Sequence, residues 1–148
     1  MTGRSVWFLV AARVGTAWVV AGACAPSADD WPAGRPRLDA LEYLQQTPGD
    51  PSGLEFHFAF VDDDGDLGAG KVVLIVDGDV KADLPMAGVF GAQSPAIDSN
   101  ATSGEVDIVV HLDSAAEAGQ EFEIGFELED GAGQRSNRPT VTLVAEAL

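Results

Sequence analysis

Glu121-Phe122-Glu123-Ile124-Gly125-Phe126-Glu127-Leu128-Glu129 alternates apolar and polar residues along its whole length. In an extended chain successive side chains point to opposite faces, so Phe122, Ile124, Phe126 and Leu128 fall on one face and the glutamates on the other. This predicts a half-buried strand with an acidic outer face. Leu54, Phe56, Phe58 and Phe60 alternate with Glu55, His57, Ala59 and Val61, and Val106, Ile108 and Val110 with Glu105, Asp107, Val109 and His111. Residues 71–76 form a continuous apolar run closed by Asp77-Gly78. That dipeptide favours the type I′ turn of a tight hairpin, because both of its positions take positive φ, and the next strand then starts near Asp79. Further strands are expected at 86–90 and 140–144, and a first one at 38–44, where Leu38, Leu41 and Leu44 also fit helical spacing.

Short strands of this kind, about seven of them with no convincing helix, predict an all-β fold, an antiparallel two-sheet sandwich spanning residues 38–148. The pattern resembles the Ig-like, cadherin-like and fibronectin type III-like modules of bacterial surface proteins, and that resemblance implies an Ig-like sandwich. The inter-sheet disulfide and core tryptophan found in antibody domains are both missing here.

Charge and composition exclude several function classes. The chain has 148 residues, with 8 Lys and Arg against 24 Asp and Glu, for a net charge of -16. Affinity for nucleic acid is built from cationic side chains that displace counterions, so a nucleic-acid partner is not expected. The single cysteine makes no internal disulfide and leaves no Cys/His set for structural zinc or an iron–sulfur centre. Repeated membrane spans, each needing about 20 apolar residues, are ruled out as well.

The acidic load is unevenly placed. Residues 1–23 carry Arg4 and Arg13 and no acid, and their apolar run VGTAWVVAGA at 14–23 ends in small residues directly before Cys24. A basic leader, an apolar stretch and small residues at a cleavage point make an export signal. Ala21-Gly22-Ala23-Cys24 resembles the lipobox of bacterial lipoproteins, with Ala21 where that pattern usually has leucine. The resemblance implies that residues 1–23 are a lipoprotein signal peptide. It also implies that Cys24 is lipidated with diacylglycerol and palmitate, that the chain is held on a membrane of the cell envelope, and, with Ala25 following the cysteine, that this is the outer membrane. An ordinary signal peptide cut nearby and an uncleaved N-terminal anchor are the alternatives. Residues 24–37, rich in Ala and Pro without apolar periodicity, are read as the lipidated cysteine and a disordered tether. Removing 1–23 leaves 6 basic against 24 acidic residues, a net charge of -18.

One loop has chemical character: Val61-Asp62-Asp63-Asp64-Gly65-Asp66-Leu67-Gly68. Carboxylates at i, i+2 and i+4 around a glycine turn several oxygens toward one centre, which suits Ca2+, a hard cation taking 6–8 oxygen ligands. The EF-hand frame does not fit, because Leu67 falls where that loop needs glycine. The run resembles the acidic loops of calcium-stabilised bacterial Ig-like modules, which implies Asp62, Asp64 and Asp66 as ligands. In Ig-like topology the loop after residues 54–61 gathers with the one holding Asp98 and Asn100 and the one starting at Glu129 and Asp130. Asp130 is therefore expected to join a calcium site. Solvated turn residues are the plainer reading of the same loops.

Other constellations carry less. His57 and His111 are expected to point outward on neighbouring strands beside Glu55 and Asp107, a conceivable transition-metal site but more often plain surface. There is no GxSxG elbow and no glycine-rich phosphate loop. The expected function is a noncatalytic envelope lipoprotein whose Ig-like domain serves adhesion, docking or envelope organisation through an unidentified protein partner. A small secreted or periplasmic accessory or inhibitor-like module is the alternative, and a hydrolytic enzyme ranks last.

Overall fold

In the computed structural model, residues 121–129 form the strand that their alternation predicts. The structure describes residues 7–10, 16–21, 30–50, 52–112 and 118–146, so the expected lipidation site, Cys24, lies outside the described residues. In chain order the elements are β1 (Trp7–Val10), β2 (Thr16–Ala21), β3 (Arg37–Gln46), β4 (Gly53–Val61), β5 (Lys71–Val76), β6 (Asp79–Pro85), α1 (Met86–Ala92), β7 (Ser103–Leu112), β8 (Glu121–Glu129) and β9 (Thr140–Glu146).

The domain is an all-β sandwich of seven strands, β3 to β9, in two antiparallel sheets ordered β7-β4-β3 and β9-β8-β5-β6. The chain passes between the sheets at β4–β5, β6–β7 and β7–β8. Two segments from the N-terminal stretch extend the sheets: β1 runs parallel along β7, and β2 runs antiparallel along β9.

The core is built from the inward faces of both sheets. Phe126 of β8 meets Phe56 and Phe58 of β4 at ring-centroid distances of 5.5 and 5.9 Å, and Tyr43 of β3 lies edge-on to Phe56 at 5.5 Å. Burial of each such ring contributes about 2–3 kcal/mol from removed apolar area alone. The β5–β6 hairpin turns on Asp77 and Gly78, with φ of 51° and 83°, as the type I′ reading requires.

Residues 86–90 are not a strand. They open α1, whose Met86, Val89 and Phe90 are buried. The i, i+3, i+4 spacing of these three side chains is helical, whereas a period of two would have sent Gly88 inward and Val89 out. Pro85 directly precedes the helix, and the Phe90 ring stacks on Phe60 at 5.2 Å, closing that end of the core.

The last residues of the expected tether are docked on the domain. Trp31 Nε1 donates to the Arg35 and Pro36 carbonyls, both at 3.1 Å, and Arg35 lies 5.0 Å over the indole. The Arg35 guanidinium also donates to the Arg135 carbonyl in the β8–β9 loop. At the start of β3, the Asn137 side chain accepts from Leu38 N and donates to Leu38 O.

Candidate metal centre

The β4–β5, β6–β7 and β8–β9 connections lie at one end of the sandwich. The first leaves β4 at Asp62, whose N–H donates to the Thr102 carbonyl at 2.8 Å. Gly65 then turns the chain with φ of 66°, and a Cβ there would come within 2.8 Å of the Asn100 carbonyl. Gly70 packs so close to the Glu129 carbonyl that a side chain has no room. Between these two glycines a short 3-10 turn, Leu67–Ala69, buries Leu67 in the core. The Asp66 carbonyl accepts from Ala69 N and, across the gap between loops, from Gly131 N at 3.1 Å.

This backbone frame brings three carboxylates together. One oxygen from each of Asp62, Asp66 and Asp130 lies within 4.8 Å of the other two. Asp62 is fully buried and Asp130 is 3% exposed. Each of these two spends one oxygen on its own loop. Asp62 Oδ2 accepts from Asp66 N and Leu67 N at 2.9 and 2.8 Å, and Asp130 Oδ1 accepts from Ala132 N and Gln134 N at 3.0 and 2.8 Å. Their other oxygens, Asp62 Oδ1 and Asp130 Oδ2, are buried without a hydrogen-bond partner, and so is Asp66 Oδ1. Burial pushes the Asp62 carboxyl above its ordinary value, with the Asp66 and Asp130 charges adding to the rise and the Leu67 and Asp66 N–H groups opposing it. If ionised, two carboxylates at this separation repel by roughly 3–4 kcal/mol at an effective dielectric of about 20. Such a set has the chemistry of a hard-cation cage: oxygen ligands only, negatively charged and short of partners.

Of the four residues expected at such a site, Asp62, Asp66 and Asp130 converge and Asp64 does not. Asp64 is exposed and its carboxylate lies against Gly34. The i, i+2, i+4 spacing does not fix which carboxylates turn inward: Gly65 N donates to Asp62 O at 3.0 Å and closes a turn on which Asp64 is exposed. Two other acids at this end are spent elsewhere. Asp98 Oδ1 accepts from Asn100 N at 2.8 Å, and Glu129 pairs with Lys71 and Arg135.

The outer face of the β8 sheet is less solvated than its sequence suggests. Glu127 is buried, joined to Arg135 at 3.4 Å and Arg138 at 3.1 Å. Through Arg135, Glu129 and Lys71 the pairing continues to Asp83, so acids and bases alternate along six residues. A groove of about 630 Å³ beside them is lined by Lys71, Asp83, Leu84, Pro85, Glu129 and Asp130.

The histidines do not form one site. His57 Nδ1 meets Asp107 Oδ1 at 2.8 Å in mid-strand. His111, expected outward, is buried, because the alternation of β7 ends in a run of covered residues, Val110, His111 and Leu112, and Leu112 N donates to Ser52 O in the β3–β4 turn. His111 Nδ1 lies 3.3 Å from Ser52 Oγ and 3.4 Å from Asp50 Oδ2, while Ser52 Oγ donates to Asp50 Oδ1 at 2.7 Å. Serine and aspartate thus address the same ring nitrogen, whereas a nucleophile relay needs them on opposite nitrogens. Burial lowers the His111 pKa, with Asp50 opposing, and the Ser52 hydroxyl and N–H hold the Asp50 carboxyl below its ordinary range. This cluster was missed from sequence because Ser52 and His111 meet only through the β4–β7 register, which pairs Gly53 with His111.

Comparison with known proteins finds no matching family model, curated protein or solved structure.

Proposed function

We propose that the chain is a noncatalytic, exported binding module, anchored to the cell envelope through lipid on Cys24, whose loop end is held in shape by a bound calcium ion. Asp62, Asp66 and Asp130 ligate the ion, and it ties the β4–β5 loop to the β8–β9 loop. The observation that carries this reading is the convergence of three carboxylates, each with one buried oxygen that the protein itself leaves without a partner. Oxygen-only donors suit Ca2+ better than zinc, which favours nitrogen and sulfur. Backbone carbonyls and water complete a coordination number of about 6–8. The ion's role is structural. With it in place the loops present a fixed surface to a protein partner, and without it the three charges push the loops apart.

The anchor is supported by the basic leader, the apolar run and the small residues before Cys24. Among the described residues no helix is long and apolar enough to cross a membrane. Two experiments test the two halves of the proposal. Melting with millimolar calcium and then with chelator reads the ion: a higher midpoint with calcium supports it, and identical midpoints remove it. Mass spectrometry of the membrane fraction reads the anchor. A chain starting at acylated Cys24 supports it, and an unmodified soluble form removes it and leaves a free accessory module.

A further inference from the structure

The outer edges of the two sheets are protected very unequally. β3 carries Arg37, Asp39 and Glu42, is interrupted twice in its register with β4, and has Ala40 at φ of 50°. β6 carries Asp79, Lys81 and Asp83, ends in Pro85 and has a register shift against β5. Charges, bulges and proline are the devices that stop an edge from pairing with another chain. On β7 the first half is sealed by a side chain, since the Gln93 amide accepts from Asp107 N at 3.0 Å and donates to Asp107 O at 3.1 Å.

β9 has only one of these devices, a charge at its last residue, Glu146. From Thr140 to Ala145 it holds no charge and no proline, and its register with β8 is unbroken. Ala145 N donates to Gln120 O and Ala145 O accepts from Gly119 N, so Ala145, and by alternation Leu143 and Val141, turn their backbone groups toward β8. Thr142 and Val144 then offer theirs to the outside. In the structure that edge is occupied by β2, an uncharged, β-branched-rich segment, with Trp18 opposite Val144 and Ala21 opposite Thr142.

We propose that the β9 edge is a strand-addition site, and that in the processed chain its occupant is an extended, uncharged strand of a partner protein, entering antiparallel as Thr16–Ala21 does. This rests on the reading above that residues 1–23 are removed, because their removal takes β2 away and leaves the edge vacant. Main-chain hydrogen bonds to Thr142 and Val144 supply affinity, and the uncharged outer face of Thr140, Thr142 and Val144 selects an uncharged strand.

The test uses residues 24–148, whose core cluster among the described residues comes wholly from 38–145, and as probe a synthetic peptide of residues 14–23. Hydrogen exchange of the Thr142 and Val144 amides is expected to slow at least about tenfold with saturating peptide, while β3 and β6 amides stay unchanged. A peptide N-methylated at Trp18 leaves the domain intact and is expected to bind about tenfold more weakly, the factor of one lost backbone hydrogen bond. Thr142→Pro, which removes only an outward donor, is expected to do the same. No protection at millimolar peptide, or equal binding of the methylated peptide, overturns the site. Self-association of 24–148 with β9 protected overturns the partner in favour of a second copy. If cellular chains retain residues 1–23 while the peptide still binds, the processing reading fails and the partner with it, but the edge site stands.

Discussion

The two ends of the sandwich each hold a loop aspartate whose carboxylate accepts hydrogen bonds from nearby backbone N–H groups, and they differ in what the second oxygen meets. At the β3–β4 turn, Asp50 uses Oδ1 on Ser52 and Oδ2 on His111, so the protein closes the arrangement itself. At the opposite end, Asp62 and Asp130 use one oxygen on the loop and leave the other buried without a partner, as is Asp66 Oδ1, in a cluster where one oxygen of each lies within 4.8 Å of the others. A buried polar group left unpaired costs free energy, and three anionic ones in one place cost more. The first end pairs both oxygens of its aspartate within the protein, although Thr47 Oγ1 beside it is buried without a hydrogen-bond partner. The second leaves buried carboxylate oxygens that a cation, as proposed above, would satisfy.

Neutralising Asp62 while keeping its acceptor is expected to separate the two ends most strongly. Asp62→Asn is expected to abolish stabilisation by calcium, a loss of about 3 kcal/mol when the ion is a hundredfold above its Kd. In chelator the same variant is expected to melt at or above the wild-type midpoint, because one of three repelling charges is gone. Equal effects in both buffers would erase the difference between the ends. At the other end, His111→Gln is expected to cost about 1–2 kcal/mol through its buried polar contacts, equally with calcium and with chelator, in parallel melts.

Acid sharpens the contrast further, because in chelator the two ends titrate in opposite directions. The Asp62 pKa is raised, so its contribution is fully present below the ordinary value of 3.8 and is lost as pH rises through the raised value. The His111 pKa is lowered, so its contribution is present above the ordinary 6.5 and is lost as pH falls through the lowered value. Wild type is therefore expected to melt below Asp62→Asn and above His111→Gln at neutral pH, with both gaps closing as pH falls. The smallest effect belongs to Asp64→Asn, expected to stay within about 0.5 kcal/mol with calcium or chelator, since the exposed carboxylate is outside the cluster.

Where a stretch is long and strictly alternating, the fold was legible in the chain. β4, β7 and β8 read directly from period two, and Asp77-Gly78 marked its hairpin. The misreadings share one cause, which is that local counting assumes a backbone conformation. The short apolar stretch 86–90 fits a strand by composition, yet Met86, Val89 and Phe90 carry helical spacing. The i, i+2, i+4 spacing around Gly65 includes Asp64, but the turn closed by Gly65 N on Asp62 O leaves its side chain exposed. The alternation that sent His111 outward stops where the β3–β4 turn covers the end of β7. Asp130 was reachable because loop clustering follows from topology. The Asp50, Ser52 and His111 contact and the pairing of Glu127 with two arginines depend on register between distant residues, which single-chain periodicity does not carry.

Calorimetric titration of calcium into the chelator-treated protein tests the proposed cation site at the loop end most directly. One ion per chain is expected, with binding retained in Asp64→Asn and lost in Asp62→Asn and Asp130→Asn. An absence of binding heat at millimolar calcium and at two temperatures, or unchanged binding in Asp62→Asn, would contradict it.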